Sequence, residues 1–464
     1  MRRTSLVLAG PVRVTSGIIE KTNIQGKQMV LAPDVRKQKL TELKKTGPSQ
    51  GKQKLYYQGT TQTFDSYRID LDWLIYNRHN GRLEAEMLTW EQENSVSPEL
   101  YDDELHDLID DLLWKSNVSA NKYTLEDLKD KQQQRPGIVS LDGVIIDGNR
   151  RAMLLRRLEK DKQTKQYLDA IILPHAYNEN QKEIVRLETQ YQLGEDSKVE
   201  YGPLQKYLHA RRLRTDLGIE ESEIDKLMGQ SEGYTKRLLD TMTLMDDYLE
   251  HIGCPKLYTM LKDSDGTKEG MFVDLQGDLR RLQSGNAKVP WAFDPEVDLL
   301  QLKLIQFDYM RMGEFADAKK SYREISHQGK SRNFFCHKDI WEGFATKHGD
   351  KVDAATMQMG SLEEFIEANP GHESKVEAAR ARDDVWREKV KASMKENFGK
   401  SSEKLYFRVS ELAPHDYLER ALLSIEKVDI ESAGFLSDPE NEKLVREINR
   451  RSFEMKKKFE RASN

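Results

Sequence analysis

Residues Val144–Leu155 read VIIDGNRRAMLL. Val144, Ile145 and Ile146 have the make-up of a buried strand and Ala152–Leu155 open a helix, so the chain has to turn between them. The turn is Asp147-Gly148-Asn149-Arg150-Arg151, and it carries two readings. One is a plain strand-to-helix connection. The other is a cradle for phosphates. A helix N-terminus presents amides without intrahelical acceptors and a partial positive charge, which favours anions. Gly148 lets backbone approach closely, and Arg150 and Arg151 add forked donors that match phosphate oxygens. Between residues 146 and 166, seven Lys/Arg stand against three Asp/Glu, a local charge of +4 in a chain of formal charge −6.

Outward from this turn, Gly137–Gly148 (GIVSLDGVIIDG) predicts a hairpin turning at Asp142-Gly143. The following helix places Met153, Leu154 and Leu158 inward and Arg156, Arg157 and Lys160 outward. Upstream, YRIDLDWLIYNRHNGRL alternates at Tyr67, Ile69 and Leu71, a short strand ending in a tight turn at Asn80-Gly81-Arg82. Leu105, Leu108, Leu112 and Leu113 fall on one side of an amphipathic helix. Downstream, YLDAIILPHAY supplies a strand and ENQKEIVRLETQYQL a helix. From Pro203 the pattern is helical, in three segments: a first stopped by Gly218, a second by Gly229, and a third with Ser231 placed to cap it. Residues 1–63 are turn-rich and polar and read as a lead-in. The expected organisation is therefore 1–63 lead-in, 64–198 α/β domain, 199–253 helical domain and 254–464 helical C-terminal region.

Bulk properties narrow the classes. A chain of 464 residues, 33% charged and 37% hydrophobic, has room for two or three domains and no run near the roughly 18 apolar residues of a membrane span. MRRTSLVLAGPVRVTSG imitates a secretory signal, but its apolar patch of about six residues falls short of the roughly 7–15 required. A retained, cytoplasmic N-terminus is expected, with no membrane partner. Cys254 and Cys336 alone argue against a disulfide framework and lack zinc-site spacing. The net negative charge means that DNA would be met by a local basic patch or through a partner.

The succession of first turn, GNRR turn, YLDAIILP strand, IVRLETQYQ helix and three-helix segment resembles the ParB/sulfiredoxin superfamily. The family's second box is Gly-Glu-Arg-Arg before a helix, matched at three of four positions by Gly148-Asn149-Arg150-Arg151. Its first turn resembles Asn77…Arg82, without the proline. At its third box, Glu-Asn-x-x-Arg, Glu188 matches, whereas Thr189 and Gln192 depart. IDKLMG, QSEG and YTKRLLDTM resemble the helix-turn-helix of the partition proteins, so the likeness spans about residues 67–250. It implies an α+β fold: a ParB/Srx-like nucleotide-binding α/β domain, a helix-turn-helix domain and a mostly α-helical C-terminal region.

The resemblance implies a nucleoside-triphosphate-binding protein, a slow Mg2+-dependent NTPase using ATP or CTP. The ParB-like ATPase subunits of DNA base-modification systems (the DpdB type) are the attractive branch, given the long C-terminal region. Arg82, Gly148, Asn149, Arg150 and Arg151 would bind nucleotide, and Glu188 would hold magnesium. Asp147 and Glu188 are the catalytic candidates. Asp147 equally suits a helix cap, and Glu188 equally suits a solvated helix face. Arg211, Arg212, Arg214, Tyr234, Lys236 and Arg237 are the DNA-binding candidates, with helical packing or a protein contact as the alternative. DNA, a DNA-modifying enzyme and a second copy of the chain are the partners this implies. A partition or transcription factor switched by nucleotide, and a non-catalytic adaptor with a degenerate cradle, are the competing classes.

Overall fold

The computed structural model describes residues 30–94, 101–193, 202–263, 266–285, 289–313, 322–327 and 332–462. The signal-like start and part of the turn at 263–266 lie outside them. The chain is α+β, a six-stranded sheet with a mostly helical remainder, in two compact units. The first comprises the described residues up to Val273 together with Gly371–Ala379; the second comprises Asp274–Pro370 and the described residues from Arg380 onward.

In the first unit the order is α1 (Pro33–Thr46), β1 (Gly51–Tyr57), β2 (Thr60–Asp70), β3 (Ile75–Tyr76), α2 (Glu84–Asn94), α3 (Asp103–Ser116), α4 (Val118–Lys131), β4 (Gly137–Val139), β5 (Val144–Asp147), α5 (Asn149–Lys162), β6 (Tyr167–Ile172) and α6 (Gln181–Leu193). The strands lie in the order β1-β2-β6-β4-β5-β3, with β6–β4 and β5–β3 parallel and the other pairs antiparallel. Because side chains alternate along a strand, Ile69, Val139, Ile145, Leu168 and Ala170 turn to one face. There they pack with Leu40, Met87, Leu105, Ile109, Leu154 and Leu158 from α1, α2, α3 and α5. Each fully buried Leu or Ile contributes about 1.5–3 kcal/mol.

The hairpin turns at Gly143, whose φ of +83° and approach to the Trp73 carbonyl (2.3 Å from an added Cβ) both exclude a side chain. Residues 33–57 are not the loop expected of the lead-in. Arg36 and Leu40 of α1 are buried, and Arg36 Nε donates to the Asp142 carbonyl at 2.8 Å, tying this helix to the hairpin turn. Helices α2 and α4, with little amphipathic periodicity, are additional to the expected elements. Arg156 is a further correction. It is 6% exposed and donates from Nη2 to the Leu71 and Leu74 carbonyls at 2.6 and 2.8 Å, joining α5 to the chain before β3.

The three predicted helices follow as α7 (Pro203–Arg211, continued by a π-helical turn Arg212–Asp216), α8 (Glu221–Leu227) and α9 (Tyr234–His251), with Gly218 and Gly229 at positive φ after the first two. Ser231 does not cap α9. Asp225 from α8 does so instead, accepting from the Gly233 amide (2.8 Å) and from the Thr235 amide and hydroxyl (2.7 and 2.6 Å). Burial opposes that charge, but the Thr235 and Gly233 hydrogen bonds outweigh it and hold the carboxyl below its ordinary range. The second unit begins within α10 (Glu269–Gln283) and is built from the rest of that helix, α11 (Asp298–Met312), α12 (Arg323–Ser326), α13 (Lys338–Met357), α14 (Leu362–Ala368), α15 (Lys375–Glu426) from Arg380 onward, α16 (Ala433–Ser437) and α17 (Pro439–Ala462). Its core holds Trp341, Phe334, Phe344 and Tyr309, and a buried ion pair joins Arg311 to Asp383 at 2.7 Å. Among the described residues no helix is long and apolar enough to cross a membrane.

Candidate functional site

The turn that ends β5 opens a cleft of about 420 Å³. Gly148 sits at φ +104° immediately before α5, a conformation that L side chains rarely adopt. It lets the chain reverse in one residue. The first amide of α5 with an intrahelical acceptor is that of Ala152, bonded to the Gly148 carbonyl at 2.8 Å. Amides 149–151 are therefore the orphan donors of the helix N-terminus. Asp147 does not cap them, since no side chain caps α5; its carboxylate lines the cleft instead.

Four guanidinium-bearing residues line this space: Arg82, Arg135, Arg150 and Arg151. Arg150 makes no hydrogen bond or ion pair among the described residues. Burial, and then the neighbouring charge of Arg82, lower its pKa. Two like charges at one mouth raise each other's cost, which a bound anion would relieve. Arg151 is held by the Arg135 carbonyl. Burial lowers its pKa, with Asp147 and Asp169 acting the other way. Asp127 and Thr124 of α4 and the segment Gln132–Arg135 form the far wall.

Asn149 has a structural role beneath the cradle. It is 4% exposed, accepts from the Asn77 amide through Oδ1 (3.0 Å) and donates from Nδ2 to the Ile145 carbonyl (2.9 Å). Glu188 also differs in position from the expectation. It is 1% exposed and does not line the cleft; both carboxylate oxygens accept from Asn77 Nδ2 at 3.2 Å. The solvated-face alternative does not hold for it either. Thr189 is buried and donates to the Val185 carbonyl at 2.7 Å, while the Gln192 side chain lies outside the described residues.

This buried layer continues into α7. Arg212 donates from Nη1 to the His79 carbonyl (3.1 Å) and from Nη2 to the Tyr177 hydroxyl (2.9 Å). Burial opposes its charge, but Tyr177, Glu188 and Glu84 outweigh that and raise its pKa. Burial, with Arg212 and Arg78 nearby, pushes His79 down to about 3, and burial with Arg212 does the same to His209. Burial pushes Glu84 up to about 7 against Arg212 and Arg211.

The helix-turn-helix candidates therefore separate. Arg212, 6% exposed, is internal and unavailable to DNA. Arg211 is spent on Asp246 (3.0 Å) and the Tyr258 hydroxyl (2.7 Å). Arg214 pairs with Glu220 at 3.4 Å. Tyr234 is half-buried beneath Arg237, whose guanidinium lies 6.0 Å from the ring centre. Only Lys236 and Arg237 of this set are exposed, on the first turn of α9, with Lys236 loosely paired to Asp240 at 3.4 Å.

Arg82, Asp147, Gly148, Asn149, Arg150 and Arg151 thus meet at one cleft, and Glu188 stands one residue behind it. Sequence reasoning missed the wall from α4 to Arg135. Its signal is the run QQQR before Pro136-Gly137, amides and a guanidinium set just ahead of the hairpin. Among the described residues no group of three or more His, Cys, Asp or Glu is placed to hold a metal ion by itself. Comparison with protein-family models and with curated proteins returns no match for the chain.

Proposed function

We propose that the chain is a ParB-like nucleoside-triphosphate-binding protein that takes ATP or CTP at the cleft before α5 and hydrolyses it slowly with magnesium. The observation that carries this reading is Arg150, which among the described residues has no carboxylate partner and is set against Arg82 beside three orphan amides. That arrangement suits a ligand of several negative charges. Arg82 and Arg150 would neutralise the outer phosphates and amides 149–151 would hold an inner one. Asp147 and Asp127 supply hard oxygens at the same cleft, which fits Mg2+ ligated mainly by phosphate and water. Hydrolysis forms a bond from water oxygen to the terminal phosphorus and breaks that phosphorus's bond to the bridging oxygen, releasing nucleoside diphosphate and phosphate; magnesium held there would supply charge neutralisation.

A role on DNA is a second reading, favoured by the exposed Lys236–Arg237 pair at the start of α9. A DNA-modifying enzyme as partner belongs with it. The test is calorimetric titration of the full chain with ATP, CTP, GTP and UTP, with and without magnesium, beside Arg150→Ala. Micromolar binding of at least one triphosphate, weakened in the variant, is expected. Absence of binding by all four would leave a non-catalytic adaptor.

A further inference from the structure

The wall that α4 adds to the cleft ends in a residue of unusual backbone. Gln132, which follows α4 directly, lies at φ +58° and ψ −165°. A side chain there crowds its own main chain, so the region is populated almost only by glycine. Its amide still closes α4 on the Leu128 carbonyl at 3.2 Å. A glutamine at this position costs stability that a glycine would not. Gln132–Arg135 line the cleft beside Thr124 and Leu128. The three glutamines differ in what holds them. Gln133 is fixed to β6: Nε2 donates to the Tyr167 carbonyl (2.8 Å) and Oε1 accepts from the Asp169 amide (3.1 Å). Gln134 donates to the Lys131 carbonyl at 2.5 Å. Among the described residues neither the side-chain amide of Gln132 nor the guanidinium of Arg135 has a hydrogen-bond partner.

We infer that Gln132 reads the nucleobase of the bound triphosphate and selects adenine. The inference rests on the reading of the cleft as a triphosphate site, and it names the base that site takes. With the phosphates at Arg150 and amides 149–151, the part of the cleft walled by α4 is left for the nucleoside. The cleft's volume of about 420 Å³ lies within the roughly 300–1,000 Å³ of small-molecule sites. Leu128 offers an apolar surface there and Arg135 a guanidinium plane, two kinds of surface on which a base rests or stacks. A glutamine amide matches adenine at two atoms: Oε1 accepts from the N6 amino group and Nε2 donates to N7. Guanine presents acceptors at both N7 and O6, so Oε1 would face O6 with no hydrogen between them. Cytosine and uracil have one ring and less area to stack. The strained backbone suits the role, because a glutamine set in place beforehand loses less freedom when the base arrives.

The test is calorimetric titration of the full chain with ATP, CTP, GTP, UTP and inorganic tripolyphosphate in the presence of magnesium, on the wild type, Gln132→Ala and Gln132→Gly. ATP is expected to bind about tenfold to a hundredfold tighter than GTP, and tighter than either pyrimidine nucleotide. Both variants should lose that preference and keep the wild-type affinity for tripolyphosphate. Gln132→Gly should also melt about 2 °C or more above Gln132→Ala, since only glycine relaxes the backbone. An ATP preference unchanged in both variants overturns the inference and leaves the phosphate site standing. So does a preference for any other base, and so do four nucleotides that bind no better than tripolyphosphate. Failure of tripolyphosphate and all four nucleotides to bind overturns the triphosphate reading itself and this inference with it.

Discussion

Arg150 is the residue on which the proposed phosphate site rests. Among the described residues its guanidinium has no carboxylate partner, and a charge-assisted hydrogen bond to an anion is worth about 1.5–3 kcal/mol. Arg150→Ala should therefore weaken triphosphate binding roughly tenfold to a hundredfold, read by calorimetry, with melting unchanged; equal affinity would remove the cradle reading. Asp147→Asn should slow magnesium-dependent turnover at saturating nucleotide more than it weakens binding, measured by phosphate release. Glu188→Gln should behave differently. Its carboxylate serves Asn77 inside the protein, so the expected result is a lower melting temperature with binding little changed. The carboxylate of Glu84 is a pH reporter. Its folded pKa is about 7 against an ordinary 4.5, so the stability it contributes is present below 4.5 and lost as pH rises through 7. Glu84→Gln should accordingly melt higher than wild type at pH 8 and near it at pH 5, in parallel thermal scans.

At the scale of elements, the helix-turn-helix segment divides between anchors and surface. Arg211 and Arg212 fasten α7 to Asp246, Tyr258, Tyr177 and His79, whereas Lys236 and Arg237 face outward on α9. If α9 meets duplex DNA, the double variant Lys236→Ala/Arg237→Ala should flatten the log–log salt dependence by roughly 0.9 per lost contact. Arg212→Ala should instead lower the melting temperature and leave that slope alone. Fluorescence anisotropy across a salt series separates the two; a slope that responds only to Arg212 would place the contact elsewhere. The five arginines and lysines look alike in sequence because charge says nothing of direction. A helix presents its side chains all round, and the neighbours that capture Arg211 and Arg212 come from up to 133 residues away.

For the first unit as a whole, the titrating interior sets an optimum. His79, His106 and His209 are held neutral by burial and nearby arginines, each pushed down to about 3. Their stability is present above the ordinary 6.5 and is lost as pH falls from there towards 3. Glu84 works in the opposite sense between 4.5 and 7, but three groups outweigh one at about 1.4 kcal/mol per pH unit each. The unit's melting midpoint should climb from pH 5 to about 6.5 and then level off, as followed by scanning calorimetry; a midpoint flat over that range would mean that these histidines accept protons without unfolding.

The hairpin at Asp142-Gly143, the strand into Gly148 and the amphipathic helix α3 were legible from sequence alone. Their causes are local: alternation, a turn that only glycine tolerates, and apolar residues recurring on one side. The grouping of Arg150 with Arg151 was equally local. What folding alone decided are facts about neighbours distant in the chain. Leu40 and Arg36 make a core helix of a segment too polar to be read as one, because the hairpin turn receives them. Glu188 faces inward because Asn77, 111 residues earlier, turns its amide to it. The third wall of the cleft comes from α4, whose sequence has little periodicity, so only packing assigns it a place. Local pattern determines which elements form. The direction of a polar side chain is set by which partner pays its desolvation, and that partner is brought by the tertiary fold.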